Sequence, residues 1–142
     1  MDIELVRTFA AEFRSRLEEG RGRLPEGLRS FPAGCCGPVS EVLAYALERH
    51  LGHAATYVCA SRYGERGLEM THAWLEVGAL IIDVTADQFS GMAPVIVTED
   101  RAWHDAWPEH ERRSSIMPET DAMWWGLTGW PLYFVGSGSK PG

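Results

Sequence analysis

Three residues of the chain have the types and order of a thiol catalyst: Cys36, His72 and Asp83. The first lies in Phe31-Pro-Ala-Gly-Cys-Cys-Gly-Pro-Val-Ser40. Pro32 and Gly34 interrupt whatever precedes, and Pro38, which has no N–H to donate, suits a first helical position. From there Val39, Val42, Leu43, Ala46, Leu47 and Leu51 recur at helical steps, and Gly52 can close the helix. Cys36 is therefore expected at the helix start, where unpaired N–H groups and the helix dipole favour a thiolate. The alternative is a cysteine acting as a small apolar core residue.

His72 and Asp83 fall in Thr71-His-Ala-Trp-Leu-Glu-Val-Gly-Ala-Leu-Ile-Ile-Asp-Val-Thr85, two apolar runs around Gly78. The pattern predicts a β-hairpin. A turn at Val77-Gly78 sets His72 directly opposite Asp83, and one at Gly78-Ala79 sets them diagonally. Either register leaves His72, Trp74, Ile81, Asp83 and Thr85 on one face and an apolar core side on the other. An aspartate between Ile82 and Val84 needs a partner for its charge, and His72 is the natural one. Such a pair can simply hold a hairpin together. Beside a helix-start thiol it can also supply base and orienting acid.

The order Cys–His–Asp, with His72 following Cys36 by 36 residues and Asp83 following His72 by 11, resembles the transglutaminase-like branch of the papain-like cysteine enzymes. That branch also holds arylamine N-acetyltransferases and the peptidases that remove lasso-peptide leaders. The resemblance covers roughly residues 31–89. It implies Cys36 as nucleophile, His72 as general base and Asp83 as the orienting acid, on a helix packed against an antiparallel sheet. Cys35 departs from the pattern, and no side chain matches an oxyanion donor. The sequence contains no Asn, so a Cys-His-Asn triad is excluded.

The elements that must position these groups fit one domain over residues 1–135, with 136–142 as a flexible tail. A chain of 142 residues, 45% hydrophobic and 23% charged, can bury a core without staples. Its net charge of −7 argues against nucleic acid or an anionic membrane as partner. Three cysteines, two adjacent, make a poor disulfide framework and point to a reducing cytoplasm. The acidic start Met1-Asp-Ile-Glu is unlike a secretory leader. Without a Cys-x-x-Cys pair, no metal or other cofactor is expected.

Residues 2–19 read as an amphipathic helix with Asp2 as N-cap, and 20–30 as a loop. Strands are expected at 54–61, with Cys59 as a buried core thiol, and at 95–97. Residues 99–106 suggest a short helix on which His104 is surface or structural. Gln88, just past Asp83, can donate to an oxyanion or hold the triad's edge; an exposed glutamine is the plainer reading. Trp124 and Trp125 open an aromatic stretch that can wall a peptide groove together with Trp74, or fill the core. Leu132–Val135 can add a closing strand.

The fold expected is α+β: a papain-like, transglutaminase-like domain with its nucleophile helix on four or five antiparallel strands. The function expected is thiol-dependent acyl chemistry on a peptide or protein amide, most simply peptide or isopeptide hydrolysis. Acyl transfer and glutamine deamidation use the same triad. A peptide-binding module without turnover is the rival from another class.

Overall fold

A computed structural model describes residues 2–19, 36–64 and 67–114. Cys35, Trp124, Trp125, the 132–135 strand and the 136–142 tail lie outside them, as does the side chain of Cys36. The architecture is α+β, with helices on a five-stranded antiparallel sheet.

Helix α1 spans Ile3–Glu19. Asp2 Oδ1 accepts from the Leu5 N–H at 3.1 Å, satisfying one of the amides a helix start leaves unpaired. Val6, Phe9, Ala10, Phe13 and Leu17 form its buried stripe. Helix α2 spans Cys36–Leu51 and ends on Gly52, whose φ of +74° suits glycine and whose N–H closes on the Glu48 carbonyl.

The strands are β1 Thr56–Tyr63, β2 Glu69–Val77, β3 Leu80–Asp83, β4 Ile96–Thr98 and β5 Glu109–Ser114, in the order β4-β3-β2-β1-β5. Pairing of Val77 with Leu80 centres the hairpin turn on Gly78-Ala79. His72 and Asp83 are therefore diagonal on one face. Strand β5, at one edge of the sheet among the described residues, was not expected: Glu-His-Glu-Arg-Arg-Ser carries no apolar alternation, and its pairing with β1 makes it a strand.

One face of the sheet packs on the helices. Ala73, Leu75, Val77, Leu80, Ile82 and Val84 join the α1 stripe and Val39, Val42, Leu43, Ala46 and Leu47 of α2 in one core. Each large side chain fully buried there contributes about 1.5–3 kcal/mol. Cys59 is only partly buried at the margin of this core.

The opposite face is buried too. Val58, Ala60, Trp74, Ile81 and Trp107 form a second cluster, with Met70, Phe89 and Trp103 packed against it. Residues 86–107, which run through β4 and the single turn α3 (Ala102–Asp105), supply its cover. Among the described residues no helix is long and apolar enough to cross a membrane.

Candidate active site

His72 and Asp83 meet inside this second cluster. His72 is opposite Ala60 on β1, so the extended backbone turns its ring away from the helix core. The imidazole touches four aromatic rings, Trp74, Phe89, Trp103 and Trp107, at centroid distances between 5.2 and 5.9 Å. Its Nε2 lies 2.7 Å from Asp83 Oδ2, and both side chains are fully buried. Asp83 Oδ1 accepts from the Thr85 N–H at 3.0 Å.

His104 completes the carboxylate's shell. Its Nε2 stands 2.7 Å from the same Oδ2, and the residue is buried rather than at the surface. The lone histidine of a four-residue helix gave no pattern by which to find this. The available signal was Asp83 itself, since a carboxylate deep in a strand accepts more hydrogen bonds than one imidazole can give. Burial disfavours the Asp83 anion, yet hydrogen bonds from His104 and His72 outweigh it and hold the carboxyl below its usual range.

Asp83 and Gln88 together set the tautomer of His72. Gln88 sits in the 3-10 turn Ala86–Gln88, and its amide nitrogen donates to the Thr85 carbonyl at 3.1 Å. That contact identifies the nitrogen end of the amide, which also stands 3.4 Å from His72 Nδ1. Nδ1 is then an acceptor and Nε2 carries the hydrogen donated to Asp83. Gln88 thus touches the imidazole, half-buried, rather than an open surface.

The same three residues form a two-histidine, one-carboxylate donor set, with ligand atoms within 4.8 Å of one another. A metal on His72 Nε2 needs the ring proton on Nδ1, where the Gln88 N–H already points. The donor chemistry fits a hydrogen-bonded cluster better than a metal centre.

Trp74 is fully buried, set edge-on against His104 at 4.6 Å and His110 at 5.5 Å. It braces the histidines and presents no surface to a substrate. Its indole N–H reaches Glu76 Oε2 at 3.4 Å, which also accepts from Arg101 at 2.7 Å and Arg112 at 3.3 Å. Burial pushes the Glu76 carboxyl up, but hydrogen bonds from Arg101 and Arg112 bring it net below its usual value. Beside His104 opens a cleft of about 250 Å³ lined by Met92, Ile96, Thr98, Asp100 and Trp103.

A buried arginine from α1 holds the segment that carries Gln88. Arg14 makes a bidentate pair with Asp87 at 2.8 Å and donates to the Val84 carbonyl at 2.9 Å and the Pro94 carbonyl at 3.2 Å. Arg14→Met leaves those acceptors without their donor, while Asp87 keeps some contact with water. The expected loss is about 2–4 kcal/mol, read as a lower urea midpoint at unchanged slope.

Cys36 opens α2, which is tied to β2 one turn further on, where Ser40 Oγ donates to the Ala73 carbonyl at 3.3 Å. The helix start is thereby fixed to the residue after His72. Comparison of the chain with family models, curated proteins and solved structures finds no match.

Proposed function

We propose that the protein is a transglutaminase-like, papain-like cysteine enzyme that performs acyl chemistry on a peptide or protein amide, most simply hydrolysis. The observation that carries this reading is the difference between the two nitrogens of His72. Nε2–H is committed to a buried carboxylate, and Nδ1 keeps a lone pair toward which the Gln88 amide makes a long contact. A base so arranged takes a proton at one defined atom.

Cys36 transfers its thiol proton to Nδ1, and the thiolate adds to the amide carbonyl carbon. The backbone N–H groups at the start of α2 are the oxyanion donors the fold offers. Collapse of the tetrahedral intermediate breaks the C–N bond, and the imidazolium returns its proton to the leaving amine. Water, deprotonated by Nδ1, then cleaves the thioester and regenerates the thiol. An amine in place of water gives transfer, and a glutamine carboxamide as substrate gives deamidation. Peptide or protein amides as partners and a cytoplasmic setting belong to the same proposal.

The enzyme reading makes two structural demands. The Cys36 sulfur must reach the face of β2 opposite the one that α2 packs on, and Gln88 must yield Nδ1. These demands favour one rival, a binding module in which the His–Asp pair is a structural element.

Iodoacetamide labelling near neutral pH, with peptide mapping, separates the two. Cys36 is expected to react selectively, Cys36→Ala to abolish labelling and Cys35→Ala to leave it largely intact. Equal, sluggish reaction at Cys35, Cys36 and Cys59 assigns the protein to the binding class.

A further inference from the structure

We infer that His104 is a positioning residue that lowers the basicity of His72 by sharing the carboxylate oxygen that orients it, an inference that rests on the reading of His72 as the base. A nucleophile–base–acid set needs one imidazole on its carboxylate. Here a single oxygen, Asp83 Oδ2, stands 2.7 Å from two. His104 brings its ring from α3, 21 residues beyond Asp83, into an otherwise aromatic cage. Packing there needs no nitrogen, and a leucine or phenylalanine fills such a place without bringing in a polar group to satisfy. What the imidazole adds is an N–H on Oδ2.

That donor has a defined effect. Any hydrogen bond to Asp83 stabilises its anion and leaves less of its charge to stabilise the imidazolium of His72. His72 therefore binds its proton less tightly than it would beside an unshared carboxylate. It stays neutral, and so able to act as a base, to lower pH. Other charged or titratable groups lie near His72 among the described residues. Arg62 on β1 lies over the Trp107 ring at 4.3 Å and the Phe89 ring at 5.9 Å. His110 on β5 and Glu76 on β2 are reached through Trp74. Asp83 holds the ring and His104 stacks beside it at 6.4 Å, so a change at His104 reaches His72 through the oxygen they share.

The test uses the full chain carrying Cys36→Ala, so that thiol ionisation does not enter, and follows the His72 imidazole by nitrogen-15 NMR against pH. His104→Leu, which removes the donor, is expected to raise the His72 titration midpoint by about one pH unit. His104→Gln keeps an N–H near the place of Nε2 and is expected to shift it by no more than a few tenths. Equal midpoints in all three proteins, or equal shifts in both variants, reduce His104 to packing and overturn the inference. If His104→Leu does not fold, the unsubstituted protein decides: the His104 ring proton must be on Nε2, and finding it on Nδ1 overturns the inference as well. Cys36 labelling reports separately on the enzyme reading, because an unreactive Cys36 leaves the His72 midpoints unchanged.

Discussion

His72→Gln should cut thiol-dependent turnover by about a thousandfold or more, while the protein remains folded. Glutamine reproduces much of what the ring does for the fold, since its amide can still donate to Asp83 Oδ2 where Nε2 now stands at 2.7 Å. It supplies no basic nitrogen. The nucleophile then keeps its proton at neutral pH, and iodoacetamide labelling of Cys36 should fall in parallel with turnover. The aromatic cage loses some ring contacts, so a modest drop in melting temperature is expected and does not bear on the chemistry. A variant that labels at the wild-type rate would show that the thiol is not activated by His72.

Asp83→Asn is expected to lower turnover by about a hundredfold or more and to destabilise the fold as well. In a set with one histidine, the amide can turn its oxygen to the ring and lose little stability. Asp83 lacks that freedom because every direction is taken by a donor: Thr85 N–H on Oδ1 and two imidazoles on Oδ2. Whichever way the introduced amide turns, its NH2 faces at least one N–H. An unsatisfied buried donor costs about 1–3 kcal/mol, so a clear loss in urea stability should accompany the loss of activity. The pH dependence follows from the direction of the Asp83 shift. Hydrogen bonds from His104 and His72 hold its carboxyl below the usual aspartate range in the folded protein, so the stabilisation is fully present above that ordinary range. It disappears as pH falls through the lower, folded value. The wild type should show this acid limb and Asp83→Asn should flatten it; identical acid unfolding curves would mean the carboxylate is not held as its partners suggest.

The pairing of His72 with Asp83 was legible because both residues interrupt apolar strands, and strand alternation fixes which side chains share a face. The two long helices were legible from spacing and capping residues, and β4 from the short run Val95-Ile96-Val97. What escaped had no local period. His104 is 21 residues from its carboxylate and sits on one helical turn, too short for any repeat. Arg14 resembles the polar flank of an amphipathic helix until the 84–94 segment closes over it. The hairpin's apolar face was correctly the core side, but the burial of the opposite face came from residues 86–107. Their contribution depends on tertiary closure, and pattern within a strand does not reveal it. The charged β5 shows the limit most plainly, because its strand conformation comes from pairing with β1 and not from its own composition.

The β4 margin bears on how a peptide can be received. The strand is three residues long, and the outermost Val97 carbonyl group accepts from Arg7 of α1 at 3.0 Å. An incoming extended chain would have to displace that guanidinium to add itself to the sheet at this side. Short, guarded margins also resist templated growth between copies of a protein. On the proposed reading, a substrate that meets the protein near β4 is engaged through side chains or a terminus, and the sheet does not readily extend past this strand.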